Sequence, residues 1–188
     1  LRAKNAENVK LSKEIHSIDK NAEYGKSIQE RKQWLEEKKN ALLVDCKVLG
    51  IDIGDDVTIV ELIKLIKEKV QTLRGEIKRM SGNVEIPVSN GDLVALSTEL
   101  SKKRTELSKS YESLTGESPA TELTNQEIEE QLGVAKLKFD NLAYDINEYD
   151  NKIGELLIAH PSTVLGNTID ERHKQLDVLI VQFNGLES

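Results

Sequence analysis

Side chains with the chemistry for a site are few in this sequence, and their spacing works against one. Asp52, Asp55 and Asp56 lie in the run Gly50-Ile51-Asp52-Ile53-Gly54-Asp55-Asp56, which invites comparison with a calcium loop. Such a loop needs acidic oxygens at alternating positions, a central glycine and a closing glutamate. Those are absent, so the aspartates read as turn and helix-capping residues. His16, His160 and His173 are far apart, and none has a second His or Cys at a metal-ligand spacing. Asp145, Asn147 and Asp150 fall within one helical stretch, where their side chains diverge. Cys46 is the sole cysteine, which excludes an intrachain disulfide and a cysteine-based zinc site. It reads as a small buried residue near a helix end. Ser118-Pro119 reads as a turn, with phosphorylation as the rival. No glycine-rich phosphate loop follows a strand. No catalytic, metal or cofactor site is assigned.

The elements available to position these residues are helices. Ile128, Leu132, Ala135, Phe139, Leu142, Ile146, Tyr149, Ile153 and Leu156 recur at spacings of four and three. A seven-residue repeat of this kind lays one helical face against other helices along its length. Five helices are predicted. The first runs from about Arg2 to Val48 and ends at the Gly50–Asp56 run. The second is capped by Thr58 or Asp56, with Glu61 completing a capping box. Its ladder is Ile59, Ile63, Ile66, Val70, Leu73, Ile77 and Met80, and Ser81-Gly82-Asn83 stops it. Residues 84–90, with Pro87, read as a connector. The third helix starts near Gly91 or Asp92 and carries Leu93, Leu100, Leu107 and Leu114 up to Gly116. The fourth is capped by Thr124 with Glu127 and runs to about Ala159. The fifth opens at Thr168, carries Ile169, His173, Leu176, Ile180 and Phe183, and closes at Gly185. His173 is expected to be half-buried at the core edge. Trp34, the only tryptophan, is expected to fill the space between helices, with an exposed partner-binding role as the rival.

Composition agrees with this class. The chain has 188 residues, with 38% hydrophobic, 31% charged and only 4% aromatic. Few aromatics with many Lys, Glu, Leu and Ile suit thin helical packing better than a thick core. Three prolines leave room for long helices. A net charge of -7 argues against a general nucleic-acid binder. No run approaches the roughly 20 apolar residues of a membrane span. With no signal peptide, no N-glycosylation sequon and one cysteine, the expected setting is reducing and cytoplasmic. Because Leu1 already lies in a helical pattern, the sequence reads as a piece of a longer protein.

Trp34-Leu35-Glu36-Glu37-Lys38 with Leu42-Leu43, then Gly50 and Asp52, then Val60, Leu62, Ile66-Lys67 and Leu73, resembles the first-to-second-helix stretch of spectrin repeats. The lysine-histidine pair usual there is replaced by Ile66-Lys67-Glu68. Glu127-Ile128 leading to Lys138-Phe139, Leu142 and Ile146 is similar to the second helix of α-actinin-type repeats. Ile169-Asp170-Glu171-Arg172 with Leu176 and Phe183 resembles the third. The resemblance implies an all-α fold: an elongated antiparallel helical bundle or coiled coil of two tandem three-helix repeats. The first repeat would span 1–103, with 1–24 a candidate neck helix. The second would span 104–188 and share the helix near 92–116, which is short for a shared linker helix. The expected core is Trp34, Leu35, Leu42, Ile63, Ile66, Val70, Leu73, Ile77, Leu100, Leu107, Leu132, Phe139, Leu142, Ile146, Ile153, Leu176, Ile180 and Phe183.

The function implied is structural rather than enzymatic: a rod, spacer and dimerisation segment of a cytoskeletal actin cross-linker resembling α-actinin. Actin would be bound only through flanking domains. Residues 1–41 carry ten Lys/Arg and seven Asp/Glu, a net of +3, whereas residues 119–160 carry three Lys and nine Asp/Glu, a net of -6. An antiparallel homodimer would set opposite signs together. The alternative is a coiled-coil arm of a large DNA-associated ATPase, or another helical scaffold.

Overall fold

The computed structural model describes residues 2–157 and 159–187. Among them there are six helices and no strand: α1 (Arg2–Ile18), α2 (Ile28–Val48), α3 (Ile59–Ser81), α4 (Asn90–Thr115), α5 (Asn125–Leu156) and α6 (Ile169–Leu186). The fold is all-α. None of these helices is long and apolar enough to cross a membrane.

The single first helix expected from Arg2 to Val48 is two helices. The Asp19 carboxylate accepts the Asn21 backbone N–H at 3.0 Å, a side-chain turn that competes with helix continuation. Ser27 then restarts the chain. Its hydroxyl accepts the Glu30 N–H at 3.2 Å while Glu30 Oε2 accepts the Ser27 N–H at 2.9 Å, a complete capping box. Within residues 1–24, the candidate neck helix, α1 covers Arg2–Ile18 and lies against α2.

The same device opens the later helices. Thr58 with Glu61, Thr124 with Glu127 and Thr168 with Glu171 are reciprocal pairs, and Ser89 accepts the Asp92 N–H. The residue four beyond each cap turns inward. Leu62, Leu93 and Ile128 are fully buried there, and Arg172 nearly so. Helices α2, α3 and α4 end on Gly50, Gly82 and Gly116, each at positive φ, where glycine alone avoids a Cβ clash. Helix α5 ends at Leu156, earlier than the Ala159 read from sequence, with Leu157 as its cap; Ile158 lies outside the described residues. Helix α6 continues past Gly185 to Leu186.

The chain divides into two compact units, Leu1–Glu76 with Glu85–Ser97, and Ile77–Val84 with Thr98–Ser188. The first buries Leu11, Ile15, Cys46, Leu49, Leu62, Leu73 and Leu93. Burial first, then the adjacent Asp45 charge, pushes the Cys46 thiol above its ordinary pKa. The second buries Ile77, Met80, Ile128, Leu132, Ala135, Leu142, Ile146, Ile153 and Leu179. Of the expected core, Leu73, Ile77, Leu132, Leu142, Ile146 and Ile153 are buried. Trp34, Leu35, Leu42, Ile63, Ile66, Val70, Leu100, Leu107, Phe139, Leu176, Ile180 and Phe183 are half-buried. On α3 the inward position of the first turn is Leu62, one residue off the Ile59–Ile63 ladder. At the end of the α5 ladder Leu156 is 52% exposed.

Candidate functional site

The most concentrated polar chemistry lies where α5 gives way to its connector. The Asp150 carboxylate projects from the last two turns of α5 and gathers the returning chain. Its Oδ1 accepts from His160 Nε2 at 2.8 Å and from the Thr163 hydroxyl at 2.8 Å, and its Oδ2 accepts the Thr163 backbone N–H at 2.9 Å. The Asp150 and His160 side chains are 12% and 10% exposed. Burial opposes the Asp150 charge, but the two Thr163 bonds and the His160 bond and charge outweigh it and hold the carboxyl below its ordinary 3.8. Sequence reading took Asp145, Asn147 and Asp150 as diverging side chains on a helix. Asp150 instead meets His160 and Thr163, because the connector folds back along α5.

A cleft of about 420 Å³ beside this clamp is lined by Asp150, Asn151, Gly154, Glu155, His160 and Ser162. An aspartate, a histidine and a serine in one cleft raise the question of an activated nucleophile. That chemistry needs the histidine bonded to the serine as well as to the acid. No hydrogen bond joins His160 to Ser162, and the carboxylate is filled by three donors. The cluster is a clamp that seats Leu157 and Leu165 on the core made by Ile146, Ile153 and Leu179.

The other end of the same connector is held by an arginine. Arg172 is 9% exposed. It donates through Nε to the Gly166 carbonyl at 2.8 Å and through Nη1 to the Phe139 carbonyl at 2.7 Å, and its guanidinium lies 3.3 Å from the centre of the Phe139 ring. A planar, delocalised cation is the one charged group suited to stacking and forked donation together. The core-edge position read as His173 is therefore Arg172; His173 is exposed.

The first unit repeats this arrangement. Arg31 donates through Nε to the Gly25 carbonyl at 3.2 Å and through Nη1 to the Asn8 carbonyl at 2.7 Å and to the Ser12 hydroxyl, with its guanidinium 5.2 Å from the Tyr24 ring centre. Gly25-Lys26-Ser27-Ile28-Gln29-Glu30-Arg31 and Gly166-Asn167-Thr168-Ile169-Asp170-Glu171-Arg172 share the pattern Gly-x-Ser/Thr-Ile-x-Glu-Arg, 141 residues apart. Each position has a job. The Ser/Thr and Glu form the capping box, and the Arg reaches back to the Gly carbonyl. The glycine must lack a Cβ: at Gly166 one would stand 2.6 Å from the Glu171 Cβ, and at Gly25 it would collide with the folded-back Glu30. This recurrence is the signal in the sequence that marks both arginines.

A third connector is held from two helices. Arg104 donates to the carbonyls of Leu123 at 2.6 Å and Thr121 at 2.9 Å, and Arg79 donates to the same Thr121 carbonyl at 3.1 Å. The remaining residues singled out from sequence stay separate. The His16 ring Nδ1 lies 2.8 Å from the Ser12 carbonyl and 3.0 Å from the Tyr24 hydroxyl. Asp52, Asp55 and Asp56 are exposed in the α2–α3 connector, and Ser118 is exposed between α4 and α5. Among the described residues no three His, Cys, Asp or Glu side chains gather as metal ligands. No family model, no curated protein and no solved structure matches the chain.

Proposed function

We propose that this chain is a structural spacer and dimerisation segment, a helical rod within a cytoplasmic, cytoskeletal cross-linker resembling α-actinin. In this reading actin is bound only by flanking domains, and neither nucleic acid nor a cofactor is required. The observation that carries it is the treatment of the connectors. Among the described residues, three of the five connectors are fastened by a buried or half-buried charged side chain: Arg31, Arg104 (joined by the exposed Arg79), and Arg172 with Asp150. Fastened connectors suit a segment that transmits position. A catalytic loop is more often left free to move.

The opposite charges of residues 1–41 and 119–160 favour antiparallel pairing of two copies. Sedimentation equilibrium with small-angle scattering tests both parts. The expected result is a dimer at tens of micromolar that dissociates as salt is raised, with a scattering profile of a rod. A salt-independent monomer with a compact profile removes the reading.

A second reading is favoured by the recurrent heptapeptide. It relates α2 to α6, four helices apart, whereas two tandem three-helix repeats that share a helix relate helices two apart, and three apart if none is shared. That spacing suits a different helical scaffold, with the arm of a DNA-associated ATPase as one form. Crosslinking between introduced cysteines near Leu11 and Ile180 separates the ATPase arm, which pairs first and last helices, from the spacer.

A further inference from the structure

We propose that Arg79 and Arg104 form an oxyanion site that takes a phosphate-type dianion. The guanidinium nitrogens of both residues donate to one acceptor, the Thr121 carbonyl, at 3.1 and 2.9 Å. The two donating nitrogens, sharing one oxygen at those distances, are no more than about 6 Å apart, close enough for the like charges to repel. Burial first, and the Arg79 charge second, push the Arg104 pKa below its ordinary value, which registers that repulsion.

Among the described residues no carboxylate forms an ion pair with either arginine, although the chain carries 33 acidic residues against 26 basic ones. The neighbouring acids are committed elsewhere. Glu122 accepts from the Thr121 hydroxyl, Glu127 caps Thr124, and Glu129 pairs with Lys103 at 2.8 Å. A positive pair on α3 and α4 is thus held in place without a counter-charge, against the Thr121 carbonyl at the start of the acidic stretch 119–160. Two arginine forks converging on one point match the several oxygens of a phosphate better than a monovalent halide.

The phosphate has two possible sources. It can belong to a free ligand, or it can be carried by Ser118, which is exposed before Pro119 and two residues from Ala120, whose carbonyl lies 3.5 Å from Arg104 Nη2. In the second case Ser118 Oγ would accept the γ-phosphoryl group of a nucleoside triphosphate, releasing the diphosphate and the hydroxyl proton.

The test follows the arginine Nε–H resonances of the full chain during titration with sodium phosphate, against sodium chloride at matched ionic strength. The expected result is a saturable shift of both arginine signals, half-complete at about 1–10 mM phosphate, absent with chloride, and weakened about tenfold in Arg79→Gln. Arg79 is exposed and makes one bond to the connector, so this variant should melt at the wild-type temperature in phosphate-free buffer. A chain carrying phosphoserine at position 118 distinguishes the sources. If the tethered phosphate fills the site, it reproduces the shift and abolishes the response to free phosphate; if not, the response to free phosphate persists. Absence of a saturable shift from either source, or an equal shift in Arg79→Gln, overturns the site.

Discussion

Replacing Arg172 with alanine removes a guanidinium that joins three parts of the second unit: the α5 backbone at Phe139, the connector at Gly166 and the Phe139 ring. Hydrogen bonds to a charged donor contribute about 1.5–3 kcal/mol each when the partner groups are shielded from water. Stacking on the ring adds about 0.5–2 kcal/mol. These contributions overlap, since one rigid group makes all of them and water partly rehydrates the freed carbonyls, so the expected loss is about 3–4 kcal/mol. For a chain of this length that corresponds to a melting temperature lower by roughly 10 °C. Urea denaturation followed by far-ultraviolet circular dichroism measures it directly. Arg172→Lys keeps the charge but not the fork, and should lose at least half as much. Arg31→Ala is the internal control. It alters the same heptapeptide where the guanidinium is more exposed and its ring partner lies farther away, so a loss of about 1 kcal/mol is expected. A loss below about 1 kcal/mol for Arg172→Ala, or one equal to that of Arg31→Ala, would refute the argument that burial and stacking give this arginine its weight.

Ile146 is fully buried in the α5–α6 core, so Ile146→Asp places an unpaired charge there and should unfold the second unit cooperatively; an unchanged melting curve would contradict the core assignment. Asp150→Asn should destabilise the protein by about 1–3 kcal/mol at pH 7. The sign with pH follows from the depressed Asp150 pKa: the stabilisation is present above the ordinary carboxylate value and is lost as pH falls through the lower folded value. Wild type and variant should therefore converge in stability only as pH falls below the ordinary carboxylate value and through the lower folded one, and a difference that grows on acidification would show that the clamp does not depend on the carboxylate charge.

Where the helices start was legible wherever Ser or Thr stood three residues before Glu, because a capping box is completed within one turn of chain. Thr58 and Thr124 were read on that basis; Thr168 was read as a helix start, and its pairing with Glu171 came with the structure. Ser27 carries the same signal with Glu30 but was passed over within a single helix read from Arg2 to Val48, and the Asp19 turn only becomes decisive once α1 folds back on α2. The α5 ladder was legible over its middle because Ile146 and Ile153 meet α6. At Leu156 no neighbouring helix covers it, and periodicity does not report where a neighbour stops.

The sequence by itself determined the helical class, most helix starts and the glycine stops, since each depends on groups within about four residues of one another. It also contained the repeated heptapeptide, legible as a pattern though not as a purpose. Tertiary structure alone decided which polar side chains meet. Asp150 and His160 are ten residues apart, and Arg172 and the Phe139 carbonyl thirty-three. Helical periodicity sets the direction in which a side chain leaves its own axis. Only the path of the connector and the packing of α6 on α5 determine what stands opposite.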